Sequence, residues 1–199
     1  QSRLVRFIDE RTSLIAAMSH DLKTPLTRMR LRAEMLEDAN LREKFETDLV
    51  EMEAMVTQTL EFMRGLSHRE PAQLVDITGL LESLQADNEA MGRTVTIDGR
   101  ASRPWRGSPQ LLKRCLSNLI DNAIDAVNGD GIITIRTRHD ADAVTVEIAD
   151  NGPGIPDDVQ SRIFEPFYTT KDVGDGTGLG LDVSRRIIDA HGGSIVFTT

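Results

Sequence analysis

Apolar or compatible residues recur at Leu4, Ile8, Arg11, Ile15, Met18, Leu22, Pro25 and Met29, an alternating four-three spacing interrupted chemically at Arg11 and Pro25. This spacing predicts a coiled-coil-like helix. A second run at Phe45, Leu49, Met52, Val56, Thr59 and Met63 repeats it after a polar break at 38–42, which predicts an antiparallel helical hairpin. A lone hairpin leaves its seam exposed. Two copies packed as a four-helix bundle would bury it, so a homodimer is expected; the one-chain alternative is that the following domain covers the seam. The polar stretch Gly65 to Pro71 (GLSHREP) marks the boundary, giving a helical domain at 1–66, a linker at 67–72 and a second domain at 73–199. There the periodicity changes. Residues 77–91 read as a helix, 93–98 as a strand, and Ser108-Pro109 as an N-cap and first-turn pair opening a helix to about Val127. Ile133 and Ile135 alternate with Thr134 and Arg136, and Val144, Val146 and Ile148 with Thr145 and Glu147. Each strand so patterned has one apolar and one wet face, which calls for a sheet with helices on one side. The Gly/Pro/Asp-rich stretch from Asp150 to Gly180 is long for a connection and reads as a functional loop. A helix over 178–190 and a terminal strand complete an α+β chain of two domains.

Composition narrows the class. A net charge of −9, spread along the 199 residues instead of gathered in a tail, argues against a phosphate-tracking surface, so direct nucleic-acid binding is not expected. The single cysteine, Cys115, lies in an apolar helical pattern and reads as a buried, reduced thiol. No apolar run approaches the ~20 residues that span a bilayer, and no signal-peptide pattern opens the chain. Gln1 and Thr199 both read as cuts in a longer protein, so membrane attachment would come through segments absent from this chain.

Four segments carry candidate chemistry, the last two forming one group. HDLKTPL, His20 to Leu26, lies on the first predicted helix, with His20 at heptad position f, facing away from the seam. Asp21 can accept from one ring nitrogen and leave the other as a nucleophile, Thr24 stands one turn on along the same exposed face, and Pro25 removes a backbone hydrogen bond within the helix. The bland alternative is a solvated surface histidine. NLIDNAIDA, Asn118 to Ala126, sets Asn118, Asn122 and Asp125 at the edge of an apolar stripe formed by Leu112, Cys115, Leu116, Leu119 and Ala123. Amide oxygens there suit a Mg²⁺ held mainly by nucleotide phosphates, although asparagines on a helix are more often merely exposed. DNGPGI, Asp150 to Ile155, follows a strand, where a carboxylate can take an exocyclic amine while Gly152 and Gly154 let the backbone approach a ring. GDGTGLG, Gly174 to Gly180, leads into a helix whose N-terminus can cradle phosphates. It lacks the GK[ST] of a P-loop and the third glycine of a dinucleotide fingerprint.

In order along the chain, these segments resemble the boxes of the histidine kinase family. HDLKTPL resembles the H box, NLIDNAIDA the N box, DNGPGI the first glycine box, IFEPFY (Ile163 to Tyr168) the aromatic box, GDGTGLGL the second glycine box, and HGGS from His191 a further glycine element. The resemblance implies a hairpin forming a dimeric four-helix bundle, followed by an α/β-sandwich ATP-binding domain. It implies ATP and Mg²⁺ as cofactors, a response-regulator receiver domain as partner, and a cytoplasmic fragment of a protein anchored in the bacterial inner membrane. By the same resemblance His20 is the phospho-acceptor, Asp21 its acid/base partner, Asn122 the principal Mg²⁺ ligand with Asn118 supporting, and Asp150 the adenine reader. Gly152, Gly154, Lys171, Gly176, Thr177, Gly178, Leu179 and Gly180 shape the nucleotide site. Thr24 is implied to orient a water in dephosphorylation of the partner, a second activity.

The hairpin is similar to the osmosensor-type subgroup, whereas NAIDAVNG and EPFYTTK are similar to the nitrogen-regulator subgroup, the pattern of a mosaic or a fusion. The family domain usually carries one more strand, so an exposed sheet edge is expected. Two rivals remain. An ATP hydrolase of the gyrase, chaperone and mismatch-repair fold would need a glutamate where Asn118 stands, because an amide is no general base. A non-catalytic dimeric scaffold would have no need of His20, Asp21 and Asn122.

Overall fold

The computed structural model describes residues 21–22, 24–64, 71–127, 131–140, 142–171 and 176–199. The chain divides into two compact units, 1–68 with 169–179, and 69–168 with 180–199.

In the first unit, α1 (24–34) and α2 (Ala39–Arg64) form the expected hairpin. Asp38 starts α2, its Oδ1 accepting from the Asn40 and Leu41 amides at 2.9 and 3.2 Å, so two of the N–H groups that a helix start leaves unpaired are satisfied. The buried contact joins Leu26 and Ala33 of α1 to Leu49 of α2, with Val56 packed against them. Leu22 and Met29, placed on the seam by the spacing, are exposed, and Leu26 takes the inner position next to Pro25. Positions 22, 26, 29 and 33 form one broad apolar stripe, and spacing alone cannot say which half of it meets the neighbouring helix.

The second unit is built on a three-stranded sheet ordered β2 (Val95–Asp98), β4 (Ile133–His139), β5 (Val144–Asp150). β2 runs parallel to β4, with Ile97 opposite Ile135, and β4 antiparallel to β5, with Ile135 opposite Ile148. Helices α3 (Ile77–Ala90) and α4 (Pro109–Ala126) pack against it. The core joins Leu81 and Leu84 of α3, Leu112, Leu116, Ile120 and Ala123 of α4, and Val95, Ile133 and Ile135 of the sheet. Ile120, wholly buried, replaces Leu119 in the predicted apolar stripe of α4. It lies four residues past Leu116 and three before Ala123, so the true stripe keeps strict helical spacing.

Helix starts follow their local chemistry. Asp76 caps α3 by accepting from the Gly79 amide at 3.1 Å, and Ser108 caps α4 by accepting from Leu111 at 3.3 Å, with Pro109 in the first turn. Two short strands escaped the sequence reading: β1 (Gln73–Val75) and β3 (Trp105–Gly107) pair antiparallel. Three residues are too few for a visible alternation, and their partners lie about thirty positions apart. The short helix α5 (Asp157–Gln160) was likewise unread, while α6 (Gly180–Ala190) begins two residues later than expected. The terminal strand is a correction. Residues 193–199 have no strand hydrogen bonding, and β5 pairs only with β4 among the described residues. Their β-branched run Ile195-Val196 has strand propensity but no ladder partner, and propensity without pairing does not make a strand.

Candidate functional site

The site lies where α4, the loop after β5 and the start of α6 converge. Asn118 and Asn122 stand one turn apart on α4, both partly buried. Gly180, the first residue of α6, lies against them: a Cβ there would sit 3.9 Å from the side chains of both asparagines. Asn118 Nδ2 donates to the Gly180 carbonyl at 3.4 Å. The end of the second glycine box is thus tied by a hydrogen bond to the helix bearing the amides. Helix α6 follows because its apolar residues return every three to four positions: Val183 and Ile187 are buried, and the Ser184 hydroxyl donates to the Cys115 carbonyl at 3.5 Å.

Asp150 ends β5, exposed, and Oδ1 accepts from the Gly152 amide at 2.9 Å. That bond closes the first glycine box on its own carboxylate. A methyl at Gly152 would lie 2.8 Å from Asp150 Oδ1 and 3.0 Å from the Ala126 carbonyl, so only glycine lets this loop approach the end of α4. Gly154 takes φ +75°, a conformation ordinary residues rarely adopt. Asn151 Oδ1 accepts from the Ile132 amide at 2.8 Å, fastening the loop to the segment entering β4. Sequence reasoning passed over Asn151, whose only signal was its place inside DNGPGI.

The aromatic box is held by two arginines. Arg162 pairs with Glu165 at 3.1 Å and lies 4.2 Å from the Tyr168 ring centroid, while Arg185 of α6 donates to the Phe164 carbonyl at 3.2 Å. Phe167, exposed, has φ +66°, the one non-glycine residue so placed among those described.

Of the other expected site residues, Lys171 and Gly176 lie together, with a Cβ on Gly176 coming within 3.0 Å of Lys171 Cδ. Thr177 is partly buried, Gly178 has φ +66°, and Leu179 is 2% exposed. Gly174 and Asp175 lie outside the described residues. Thr24 is exposed on the first helix, as expected, Asp21 is exposed beside it, and His20 lies outside the described residues. Cys115 is buried as expected, and burial pushes its thiol up to about 11 against the lowering effect of its hydrogen bond with Ser184.

A helix bearing amides, the glycine that opens a second helix against it, and a carboxylate at the end of a strand lie together in one unit, the elements of a nucleotide-binding domain. Residues 107–199 match the family described as histidine kinase-, DNA gyrase B-, and HSP90-like ATPase. Residues 10–67 match the His Kinase A (phospho-acceptor) domain. The chain belongs to the sensor histidine kinases of two-component systems. It is 40% identical over 193 residues to the sensor histidine kinase GtrS of Pseudomonas aeruginosa, spanning 97% of this chain and 40% of that protein. It is 33% identical over 195 residues to the signal transduction histidine-protein kinase AtoS of Escherichia coli, covering 92% of this chain and 31% of that one. The chain therefore spans less than half the length of these curated relatives. Among solved structures, full-length ShkA in complex with AMPPNP superposes with a TM-score of 0.70 at 27% identity, over 92% of this chain and 42% of that one. The hydrolase and scaffold readings are set aside in favour of the kinase.

Proposed function

We propose that this chain binds Mg·ATP in its α/β unit, phosphorylates its own His20 and passes the phosphoryl group to an aspartate of a response-regulator receiver domain. The observation that carries this reading is the meeting of Asn118 and Asn122 with Gly180, beside a loop locked onto Asp150. Phosphoryl transfer is mainly positioning and charge neutralisation, and this grouping supports a part for these residues in both. Asp150, fixed by the Gly152 amide through Oδ1, keeps Oδ2 to accept from the exocyclic amine of adenine. The start of α6 at Gly180 would turn helix-terminal N–H groups toward phosphate oxygens. Asn122 and Asn118 would hold Mg²⁺. Two neutral amides fit an ion that takes its other ligands from phosphates and water, and the ion would supply charge neutralisation on the transferring group.

In the transfer, a His20 ring nitrogen attacks the γ-phosphorus, the bond from that phosphorus to the bridging oxygen breaks, and ADP leaves; Asp21 accepts the proton from the other ring nitrogen. The resulting phosphoramidate is the donor for the receiver aspartate. Thr24, exposed on the same helix, orients a water in a second and separate reaction, hydrolysis of the partner's aspartyl phosphate to free phosphate. The domain division at 67–72, the homodimer and the membrane-anchored parent belong to the same proposal.

Incubation with γ-labelled ATP and Mg²⁺ tests it. Wild type should acquire an alkali-stable, acid-labile label. His20→Ala should acquire none, and Asn122→Ala should lose at least about 100-fold in rate while melting within a few degrees of wild type without nucleotide. Alkali-stable label on His20→Ala, or normal labelling of Asn122→Ala, would sink the respective assignment.

A further inference from the structure

The ladder between β4 and β5 ends at Ile133 opposite Asp150. A further rung would join Ile132 to Asn151, and there the side chain takes over. Asn151 Oδ1 accepts from the Ile132 amide at 2.8 Å, doing for that amide what a backbone carbonyl does inside a ladder. Because the strand end is fastened by a side chain, the backbone of Asn151 is released to turn at once. The turn follows directly: the Gly152 amide closes on Asp150 Oδ1 at 2.9 Å, and Gly154 takes φ +75°. The loop also meets α4 here, since a Cβ on Gly152 would lie 3.0 Å from the Ala126 carbonyl. Asp150 is therefore held from one side by the ladder and from the other by two hydrogen bonds, one of its own and one made by Asn151.

Asp150 is the last residue of β5, and both it and Asn151 are exposed. Exposed strand ends open locally at small cost unless something ties them down. One exposed hydrogen bond adds little to the stability of the fold, so what the Asn151 bond fixes is direction. We infer that Asn151 is a positioning residue that sets the preference of the site for adenine: by pinning the strand end to Ile132 it aims Oδ2 of Asp150 at the exocyclic amine. The inference rests on the reading of Asp150 given above. Holding an acceptor in line before the ligand arrives raises affinity without adding a contact to it. It also sharpens selectivity, because a carboxylate oxygen accepts from an amine and repels a carbonyl. Inosine triphosphate carries a carbonyl where ATP carries that amine, and the two share their ribose and phosphates. Their ratio therefore reads the aim of Asp150 alone.

The test measures the dissociation constants of ATP and inosine triphosphate by calorimetry in the presence of Mg²⁺, and the nucleotide-free melting temperature, all on this chain. Wild type should prefer ATP. Asn151→Ala should weaken ATP roughly five- to tenfold, the scale of one hydrogen bond to a charged group no longer held in line, and leave inosine triphosphate within about twofold. Asn151→Asp keeps an oxygen at the same reach for the Ile132 amide. Its added charge opposes both triphosphates alike, so the preference for ATP should stay at the wild-type level. With Asp150 already alanine, Asn151→Ala should leave the ratio unmoved, because it acts only through that carboxylate. A merely structural clamp would lower the melting temperature and weaken both nucleotides equally. A preference unmoved by Asn151→Ala, or lost as fully in Asn151→Asp, overturns the inference while leaving the site reading in place. Should Asn151→Ala fail to fold, Asn151→Ser, whose hydroxyl is one bond short of that reach, carries the same criterion. A wild type that binds the two triphosphates equally overturns the reading of Asp150 itself and the inference with it.

Discussion

Cys115 shows how burial sets the chemistry of a single side chain. Its S–H points to the Ser184 carbonyl at 3.8 Å, between α4 and α6, and burial raises its thiol from 9.0 to about 11. A raised value in the folded state means that the native thiol keeps its proton where the unfolded one has lost it. The stabilisation is full below pH 9 and falls away as pH rises through 11, with an upper bound of about 3 kcal/mol at ~1.36 kcal/mol per unit. Wild type should therefore lose melting temperature more steeply than Cys115→Ala between pH 9 and 11, as differential scanning fluorimetry would show; parallel slopes would contradict the assignment. At neutral pH the native thiol should resist alkylation. Its buried, reduced character was legible in the pattern LLKRCLSNLI, whereas Asp182, a carboxylate in an otherwise helical apolar pattern, gave no sign of its burial.

Helices α4 and α6 are joined at their far ends by His191. Its Nε2 accepts from the Ser108 amide at 3.0 Å and its Nδ1 faces the Ile187 carbonyl at 2.7 Å, so the ring is the neutral tautomer with its proton on Nδ1, the one form both partners allow. The same ring closes over Gly107, where a Cβ would meet it at 2.8 Å. One side chain thereby pairs the N–H that precedes α4 and the carbonyl near the end of α6. His191→Ala leaves the Ser108 amide without that acceptor and should cost about 1–3 kcal/mol, read as a fall in urea midpoint, with the nucleotide dissociation constant per folded molecule unchanged. A shift in affinity without a shift in midpoint would show the ring acting on the site instead. The element boundaries of α3, α4, β4 and β5 were readable because caps and periodicity are local signals. The pairing of β1 with β3 was not, since it joins residues about thirty positions apart.

At the scale of the whole molecule the hairpin stands out. Leu22, Met29, Phe45 and Met52 keep between 38% and 46% of their surface exposed in the single chain, although the heptad spacing assigns them to a seam. A stripe of this kind is a cost in water at about 25 cal/mol per Å² of apolar surface, and a second copy would remove it. Light scattering at micromolar concentration should give twice the mass of one chain, and Leu22→Glu with Phe45→Glu should give one. A monomeric wild type would refute the homodimer. The edge of β5 is a different case: residues 193–199 form no strand, although Thr199 comes to the first glycine box and would lie 3.6 Å from a Cβ on Gly154.

The sequence by itself determined the order of the boxes, the existence of the hairpin, the capped starts of α3 and α4, and the chemistry offered by His20, Asn122 and Asp150, because spacing, capping and side-chain type are properties of neighbours along the chain. Only the tertiary structure decided that Leu26 and not Leu22 faces the second helix, that Ile120 lies in the core, that Gly180 lies against Asn118 and Asn122, and that Asp182 is buried beneath Arg185 and Arg186. Each of those facts depends on which surface another part of the chain covers, and no local pattern carries that information.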